Sequence, residues 1–455
     1  MAKTNKLWTT LEERLAAGKA LREKAPRGSH AQWKPAPGRP DPVRLIEKTD
    51  HGRVAELLPI RYGRMRQSPF AFYRGTAALM ALDLSTTPKS SLRVQACGDC
   101  HVANFGGYGS PERRLVFDIN DFDETLHAPW EWDVKRLAAS IVLAGRELSC
   151  GDRQCDDSVL SAVSAYRVHM RDYAKMPALD AWYSQLDAKL LVENARSASS
   201  RKDWVRLEKD AYQQTSEHIF PRLTNMEHGV PRFTDRPPLV YHPREMARIG
   251  KHVREMFERY RRTLPEEKRV ILDRYKIADI ARKVVGVGSV GTRCDVALLM
   301  AGPTDPLLLQ VKEARASVLE PYAGKSRYEN HGERVVTGQR MLQTASDVFL
   351  GWTRDDDGHD YYFRQLRDMR MKIDIAAMSR REFFEYVEFC GWALARAHAR
   401  TGDAAQIAGY LGTSSRFDQA IAKFAAAYAE QTERDYALFA KALRAKKLPA
   451  RATTA

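Results

Sequence analysis

Apolar and polar residues follow two patterns along this chain, one typical of amphipathic helices and one typical of short buried strands. Helical spacing predicts helices at residues 70–84, 130–148, 333–345, 380–398 and 417–445. Short apolar runs predict strands at residues 92–96, 295–300, 307–312 and 360–366. Two further runs, 105–108 and 114–119, flank a turn and predict a hairpin. The strands 295–300 and 307–312, the helix 333–345 and the strand 360–366 make a small α+β unit, and with helices elsewhere the pattern favours an α+β fold.

The remaining stretches are less regular. Residues 151–281 are aromatic-rich and mainly helical in pattern, with an interruption at 231–243, and residues 27–42 read as an extended arm rich in Pro, Gly and Arg. No run of about 18 apolar residues occurs, so no segment is expected to span a membrane. The N-terminus lacks the apolar core of a signal peptide, and we therefore expect a cytoplasmic protein.

Charge adds one consideration. Lys and Arg number 73 against 58 Asp and Glu, which gives a net charge of +15 and an attraction for polyanions. The basic residues are spread along the chain, and no zinc-finger, basic-zipper or RNA-binding signature accompanies them. The charge alone therefore does not predict a nucleic-acid-binding protein.

The six cysteines include one pair that matches a known motif. Cys97 and Cys100 precede His101 in the Cys-x-x-Cys-His spacing of covalent haem attachment. That attachment belongs outside the cytoplasm, and nothing in this chain predicts export. No second Cys-x-x-Cys completes a zinc site. The sequence therefore predicts reduced thiols rather than a haem, a zinc site or a redox pair.

A run of polar residues after the first predicted strand has the composition of a phosphoryl-transfer site. Asp99 and Asn104 lie five residues apart in one loop, and Asp118 and Asp121 follow the predicted hairpin. Transfer from ATP needs one carboxylate that orients the acceptor hydroxyl, and an amide and a second carboxylate that hold Mg²⁺. Asp99, Asn104 and Asp121 fit these roles, and Asp118 competes with Asp121 for the metal.

A second motif lies far along the chain, where the glycine-rich segment 286–292 contains Gly286, Gly288, Ser289 and Gly291. A dinucleotide-binding fold would require a helix directly after these glycines, whereas a strand-like run follows. Two strands with Lys312 near the end of the second are typical of kinases, in which the glycines cover the phosphates and the lysine contacts them. Glu333 on the next helix is the expected acidic partner of Lys312, with Glu320 as the alternative.

Gly-Asp-x-His-x-x-Asn, Asp-Phe-Asp and Trp-x-x-Asp together resemble the catalytic segment of aminoglycoside phosphotransferases and related small-molecule kinases. The resemblance implies that Asp99 is the catalytic base and that Asn104 and Asp121 are metal ligands. It also implies that His101 braces the loop and that Asp133 anchors it from the following helix. The chain departs from the pattern in one place, because Cys97 stands where those kinases have His.

In kinases the glycine-rich loop comes before the catalytic loop, whereas here the order is reversed. Only convergence in space matters for chemistry, so we expect a circularly permuted, two-lobed, kinase-like fold with a large helical lobe. The expected parts are an N-terminal arm and helical segment (1–91), the catalytic and metal-binding part (92–150), a helical, possible substrate region (151–281), a small nucleotide-binding lobe (282–370) and C-terminal helices (371–455).

The whole chain, from about residue 29 to 403, also resembles an uncharacterised bacterial family, domain of unknown function 2252, which is grouped with kinase-like folds. The phrases that carry this resemblance lie at 68–75, 98–136, 286–293, 310–314 and 397–403. The family carries no settled activity, so this resemblance implies a fold and not a substrate.

The leading hypothesis is an ATP- and Mg²⁺-dependent phosphotransferase that acts on a small molecule or a protein hydroxyl. Three alternatives remain: a nucleotide-binding pseudokinase or adenylyl transferase, a metal-dependent phosphoester hydrolase, and a basic nucleic-acid-binding module. Within the site, the segment from His398 to Asp403 is a rival catalytic loop, although Ala408 stands where an Asn would be needed. Arg74 could bind a phosphate or form a structural ion pair.

Overall fold

The computed structural model describes residues 8–366, 368–371 and 373–451, apart from the side chains of residues 199 and 246–248. The chain has a mixed α+β fold, which confirms the predicted class. No described helix is both long enough and apolar enough to cross a membrane. The helices are α1 (Leu11–Ala20), α2 (Pro42–Asp50), α3 (Leu58–Met65), α4 (Pro69–Arg74), α5 (Ala77–Ser85), α6 (Trp130–Glu147), α7 (Asp152–Lys175), α8 (Ala178–Tyr183), α9 (Ala188–Asn194), α10 (Ala198–Tyr212), α11 (Ser216–Leu223), α12 (Met246–Arg261), α13 (Glu266–Leu272), α14 (Glu320–Ala323), α15 (His331–Leu342), α16 (Arg380–Thr401), α17 (Ala404–Leu411) and α18 (Arg416–Arg444).

The strands form one large sheet and three two-stranded pairs. The large sheet is antiparallel, with the order β11-β12-β10-β9-β8-β7, and the small pairs are β1-β4, β2-β3 and β5-β6. The strands are β1 (Arg93–Ala96), β2 (Phe105–Gly109), β3 (Leu115–Ile119), β4 (Leu126–Pro129), β5 (Thr224–Glu227), β6 (Val230–Phe233), β7 (Val240–Tyr241), β8 (Lys276–Lys283), β9 (Cys294–Gly302), β10 (Asp305–Ala314), β11 (Gly351–Arg354) and β12 (Asp360–Gln365).

The large sheet is covered on both faces at its centre. Successive side chains of a strand point to opposite faces, so a strand buried on both faces is apolar throughout. Leu299 and Leu309 belong to the apolar cluster that includes α12, whereas Leu298 and Leu308 belong to the cluster that includes Ile219 of α11. The continuous apolar runs of β9 and β10 are therefore explained by burial between two layers.

The helical part packs around α6, which is buried on nearly all sides between α7, α16 and α18. Helices α7 and α16 approach each other closely at Gly391. A Cβ atom at this position would lie 2.0 Å from the carbonyl oxygen of Ala162, so only glycine allows the two backbones to approach so closely. This core forms the base on which the polar loops after β1 and β3 rest.

Helix α15 joins the sheet to those loops. A Cβ atom at Gly338 would lie 2.3 Å from the side chain of Thr125, so this helix passes close to the segment that leads into β4. Arg334 of the same helix donates hydrogen bonds to the carbonyl oxygens of Thr125 (2.6 Å) and Asp123 (2.8 Å). The position of the sheet is therefore fixed relative to the segment around residue 123.

One predicted helix is divided in the structure. The pattern predicts a continuous helix over residues 70–84, but α4 ends at Arg74 and α5 begins at Ala77. Gly75 lies in the break, where a Cβ atom would meet the side chain of Met65 at 2.8 Å. The tight contact with α3 accounts for the glycine and for the change of direction.

The region 151–281, predicted as helical, also contains strands β5, β6 and β7 and most of β8. Strand β8 was missed because two of its charged residues, Asp279 and Arg282, are paired within the sheet region rather than fully exposed. Asp279 accepts a hydrogen bond from the backbone N–H of Phe233 (2.8 Å), and Arg282 pairs with Asp295 of β9 (2.6 Å). The sheet therefore begins before residue 282, where the small nucleotide-binding lobe was predicted to start.

Candidate functional site

The loop after β1 carries the first group of polar residues and depends on one glycine. Gly98 has a φ of +86°, and a Cβ atom there would lie 2.2 Å from the carbonyl oxygen of Glu124. Any other residue would be strained and would push apart the two segments that follow β1 and β3. Gly98 therefore brings Asp99 next to the segment that contains Asp121.

Asp133 of α6 holds this loop from below. Its carboxylate accepts hydrogen bonds from the backbone N–H groups of Cys97 (2.6 Å) and Gly98 (3.0 Å), and it lies 3.2 Å from Nε2 of His398. Both Asp133 and His398 are buried. The structure thus places Asp133 beneath the loop, as the resemblance implies, and gives His398 a supporting position at the end of α16.

The rival catalytic loop does not reach the same place. Asp403 caps the N-terminus of α17 by accepting from the backbone N–H of Gln406 (2.9 Å), and it pairs with Arg14 (2.7 Å). Its carboxylate is therefore used to join α1 to α17. Only His398 of this segment takes part in the support of the loop after β1.

Asp99 forms an ion pair with an arginine that the sequence analysis did not single out. Nε of Arg136, on α6, lies 2.6 Å from Oδ1 of Asp99. Burial raises the pKa of Asp99 above its usual value, although the positive charges of Arg136 and Arg74 act in the opposite direction. A half-buried carboxylate with a raised pKa is suited to accept a proton.

His101 lies beside Asp99 without a hydrogen bond between the side chains, because its Nε2 is 3.9 Å from Oδ2 of Asp99. Burial lowers the pKa of His101 well below its usual value, which keeps the imidazole neutral. Its Nδ1 is buried and has no hydrogen-bond partner. The backbone carbonyl of His101 accepts from the N–H of Asn104 (2.8 Å), so its backbone supports the loop.

Asn104 and Asp121 have oxygen atoms available to a ligand. The amide nitrogen of Asn104 donates to the carbonyl oxygen of Asp99 (2.7 Å), which leaves the amide oxygen as its free acceptor. Asp121 accepts one long hydrogen bond, from the backbone N–H of Asp123 (3.3 Å). Amide and carboxylate oxygens are the ligands that Mg²⁺ prefers, so these two side chains fit this ion.

Asp118 has a different environment from Asp121. Both of its carboxylate oxygens accept from Arg396 of α16, at 2.7 and 2.6 Å, and both side chains are 1% exposed. Asp118 is therefore neutralised inside the helical core and does not line the cleft described below. The structure does not bring this candidate metal ligand together with Asn104 and Asp121.

The glycine-rich segment connects β8 to β9, and Gly286 and Gly291 take positive φ values of +65° and +93°. The N-terminal part of the chain holds this segment through its backbone. Arg53 donates to the carbonyl oxygen of Val290 (2.7 Å), and a Cβ atom at Gly288 would lie 3.0 Å from the carbonyl oxygen of Arg74. The glycines thus allow a close fit against residues 53–75.

Lys312, on β10, binds Asp123 of the loop after β3. The same carboxylate accepts hydrogen bonds from the hydroxyls of Tyr362 (2.8 Å) and Ser289 (3.2 Å). Burial raises the pKa of Asp123, but Lys312 and Tyr362 outweigh this effect and bring it below the usual value. Burial lowers the pKa of Lys312, and the carboxylates of Asp121 and Asp123 raise it above the usual value.

Asp123 is the functional candidate that sequence reasoning missed. The sequence analysis assigned Glu333 or Glu320 to Lys312, because both follow it on the same unit. In the described part of the chain no ion pair joins either residue to Lys312, and Glu320 lies 3.8 Å from His331 instead. The available signal was the second Asp of Asp121-Phe122-Asp123, which is 189 residues from the lysine.

Two cavities meet at this point. The first, of about 270 Å³, is lined by Asp99, His101, Asn104, Asp121 and the glycine-rich segment, with Arg53, Arg61 and Arg74 on its far side. The second, of about 590 Å³, is lined by Lys312, Gln310 and Arg364 on the sheet and by α10 opposite. Asp121, Gly286 and Ser289 line both cavities, so together they form one cleft.

Arg74 differs from the other arginines of the first cavity. Arg61 pairs with Asp50 (2.9 Å), and Arg53 binds Val290, whereas no ion pair or side-chain hydrogen bond of Arg74 occurs among the described residues. Its Nε is buried without a partner. The cleft therefore contains a guanidinium group that can bind an anion.

The cysteines of the haem-type motif are buried under the loop. Cys97 and Cys100 are free thiols, and their pKa values are raised, that of Cys97 by its hydrogen bond with Cys100 and by burial and that of Cys100, to about 11, by burial. Thiols with raised pKa values stay protonated, in which form they are poor nucleophiles and metal ligands. The prediction of reduced thiols, without haem, zinc or a redox pair, stays a prediction.

These features define a mixed α+β protein in which a carboxylate-rich loop, a glycine-rich loop and a buried lysine form one cleft. The chain belongs to domain of unknown function 2252, a family described as uncharacterized proteins conserved in bacteria, whose model matches residues 53–442. No curated protein and no solved structure matches the chain. The family is confirmed, and the kinase-like fold stays a prediction.

Proposed function

We propose that this protein is an ATP- and Mg²⁺-dependent phosphotransferase with a kinase-like site. One observation carries the proposal: Ser289 and Lys312 both contact Asp123, across 166 and 189 residues of chain, within the loop that also holds Asp121. The glycine-rich segment, the lysine and the carboxylates of a phosphoryl-transfer site therefore meet in one cleft. A surface lysine or a polar turn cluster would not require this convergence.

The second cavity suits the nucleotide. In kinases a glycine-rich loop covers the phosphates and a lysine on the third strand contacts them. Here the glycine-rich segment lies between β8 and β9, and Lys312 is on β10, which supports the same use. The apolar side chains of Val285, Leu366 and Met371 line this cavity and offer a surface for the base.

Asn104 and Asp121 would hold the metal ion through the amide oxygen and the carboxylate. When bound, Mg²⁺ would neutralise charge on the transferring phosphoryl group. In the present structure Lys312 contacts Asp123 directly, so entry of the phosphates would place them between the lysine and the carboxylates. Asp123 then keeps its bond with Tyr362, which holds the segment in position.

Asp99 would orient the acceptor hydroxyl. The acceptor oxygen attacks the γ-phosphorus, the bond to the β,γ-bridging oxygen breaks, ADP leaves, and the acceptor proton passes to the Asp99 carboxylate. Arg136 fixes Oδ1 of Asp99, so Oδ2 is the atom that would receive the proton. The first cavity, between Asp99 and Arg74, would hold an acceptor of small size, whose own negative charge Arg74 could bind.

Under this proposal the chain is a circularly permuted kinase. The large sheet would belong to the nucleotide-binding lobe. In an ordinary kinase this lobe comes before the catalytic loop along the chain, whereas here it comes after the loop that follows β1. The reversed order is compatible with the chemistry, because α15 and residues 53–75 hold the two parts together. This cleft would then be formed by segments from both halves of the chain.

The test is transfer of the γ-phosphate by the full chain in the presence of Mg-ATP. Asp121→Asn should lower the rate at least a hundredfold, because it removes a metal ligand, and should leave the fold intact. Asp356→Asn, the same change at an exposed turn, is the matched control. An unchanged rate in Asp121→Asn, or no stabilisation of the protein by Mg-ATP, would refute the site.

A second candidate function, nucleotide binding without phosphoryl transfer, is favoured by the Asp99–Arg136 pair. The positive charge of Arg136 makes Asp99 a weaker proton acceptor than the same carboxylate would be without this ion pair. Mass spectrometry of the products separates the possibilities: a phosphate adduct supports transfer, an adenylyl adduct supports AMP transfer, and bound but unchanged ATP supports a sensor. The hydrolase alternative would use Asp99, His101, Asp118 and Asp121, and it loses Asp118 from this set, because Arg396 binds that carboxylate.

A further inference from the structure

A third cavity of about 520 Å³, which we call the basic cavity, lies outside the cleft and shares no lining residue with the two cavities there. Among the described residues that line it, none is acidic and five are permanently charged cations. These lining residues are Arg93, Gln95, Leu126, His127, Trp182, Ala323, Lys325, Ser326, Arg327, Tyr328, Arg334, Met341, Arg400 and Thr401.

The five cations lack carboxylate partners. In the described part of the chain no ion pair includes any of them. Arg93 donates to the carbonyl oxygen of Ala323 (2.7 Å), and Arg400 donates to that of Met341 (2.9 Å). Carbonyl groups orient the guanidinium groups but do not neutralise them, so the cavity keeps a strong positive potential.

Arg334 is the most deeply buried of these cations, with 1% of its surface exposed. Two of its nitrogens donate to backbone carbonyls, whereas its Nε is buried and has no hydrogen-bond partner. Burial lowers the pKa of Arg334, and the carboxylate of Glu124, beyond ion-pair distance, opposes this effect only in part, so a bound anion would reduce the cost of burying the charge. A buried donor without a partner in a positively charged cavity points to a ligand with several negative oxygens.

The mouth of the basic cavity has an aromatic side. The indole of Trp182 is 42% exposed, and the guanidinium of Arg400 lies 3.7 Å from its ring centroid. The stacked pair presents a flat surface next to the cations. Such a surface can pack against a planar base.

We propose that the basic cavity binds a phosphate-bearing small anion, such as an inorganic pyrophosphate or the diphosphate of a nucleotide. Two or more phosphate groups would match five cations better than a single carboxylate would. Arg334 and Arg93 would bind the inner phosphate, and Lys325 and Arg327 on the exposed side would bind the outer one.

The position of the cavity connects it to the cleft. Arg93 and Gln95 lie on β1, which continues into the loop of Asp99, and Leu126 and His127 lie on β4, which follows the loop of Asp123. Arg334 lines the cavity and also donates to the carbonyl oxygen of Asp123 (2.8 Å). A bound anion would lie behind the loops of Asp99 and Asp123. It would therefore change the affinity of the cleft for its ligands.

The binding proposal is independent of the proposed function, because it can be measured without metal or nucleotide. Calorimetric titration of the full chain with pyrophosphate should show binding that weakens as salt increases. The double variant Lys325→Glu and Arg327→Glu should bind at least about tenfold more weakly, since both side chains are exposed and make no ion pair. The pair Arg201→Glu and Lys202→Glu, exposed on α10, is the control with the same charge change.

Two outcomes would overturn the proposal: no binding of pyrophosphate at millimolar concentration, or equal weakening in the α10 control. Lys312→Met should retain the binding, and loss in this variant would assign the anion to the cleft instead. Tighter binding of ADP than of pyrophosphate, with the difference removed by Trp182→Ala, would identify the ligand as a nucleotide. Equal binding of the two would identify the phosphates alone as the recognised group.

Discussion

The two loops that meet in the cleft are held in different ways. The loop after β1 is fixed by buried side chains below it: Asp133 binds two of its backbone N–H groups, and Ser140 binds the N–H of Val102 (2.9 Å). The glycine-rich segment is held mainly through its carbonyl groups, by half-buried residues such as Arg53. The first loop is therefore built into the helical core, whereas the second is held at the border of the cleft by residues of the N-terminal part of the chain.

This difference suits a transfer site. Groups that orient an acceptor must keep their positions, because a small displacement of a reacting atom is costly in rate. Groups that cover a nucleotide must move so that product can leave. Asp123 lies between the two kinds of support, since it belongs to the loop after β3 and contacts Lys312 and Ser289 of the opposite side.

The largest effect is expected from Asp133→Ala. It leaves two buried N–H groups and His398 without their acceptor, which should lower the free energy of unfolding by about 3 kcal/mol. Urea unfolding measures this loss, with Asp356→Ala at an exposed turn as the control. Equal midpoints for the two variants would show that Asp133 supports the fold no more than an exposed aspartate does.

An intermediate effect on stability is expected from Glu124, which lies at the end of the loop after β3. Its carboxylate accepts from the backbone N–H of Val318 (2.7 Å), and burial raises its pKa to about 7. A raised pKa means that folding opposes ionisation, so stability is highest below the unfolded-state pKa and is lost as pH rises towards 7.

The test compares Glu124→Gln with the native chain by urea unfolding at pH 5 and pH 8. Between these values the native chain should lose about 2 kcal/mol more than the variant, which has no charge to bury. Glu329→Gln, at an exposed position, should behave as the native chain does. Parallel pH profiles for all three proteins would contradict the buried position of Glu124.

The smallest effect on stability is expected from Gly288→Ala, which tests the glycine-rich segment. The added methyl would press on the carbonyl oxygen of Arg74, at 3.0 Å, and move the segment away by a few tenths of an ångström. If the proposed function holds, Mg-ATP affinity should fall about tenfold while the unfolding midpoint changes little. Gly302→Ala is the control, because its Cβ atom would meet no atom within 4 Å.

How much the sequence predicts depends on whether a contact is local. The apolar periods give α6, α16, α18 and the strands β9, β10 and β12 to within a few residues, because burial of one face fixes these patterns. Asp99, Asn104 and Asp121 are recognisable since their spacing lies within one loop or follows one hairpin. The prediction of an α+β fold follows from the same local signals.

Contacts between distant segments are less predictable. Asp118 and Asp121 are three residues apart and chemically identical, and only the position of Arg396, 278 residues further on, separates a core ion pair from a cleft residue. Proximity in sequence predicts Glu333 as the acidic partner of Lys312, but in the structure Lys312 forms its ion pair with Asp123. Strand β8 is not recognised in the sequence because its polar residues suggest an exposed segment. In the structure, distant partners such as Asp295 bind these residues within the sheet.

The pairing of Asp118 with Arg396 and of Asp133 with His398 has a consequence for the synthesis of the chain. These partners are 278 and 265 residues apart, so the carboxylates leave the ribosome long before α16 does. Until α16 has been synthesised, Asp118 and Asp133 lack the partners that allow them to be buried. Contacts between residues so far apart in sequence also form slowly. The base of the cleft therefore cannot be completed before α16 has been synthesised, and a chain that ends before α16 should be captured by chaperones or degraded.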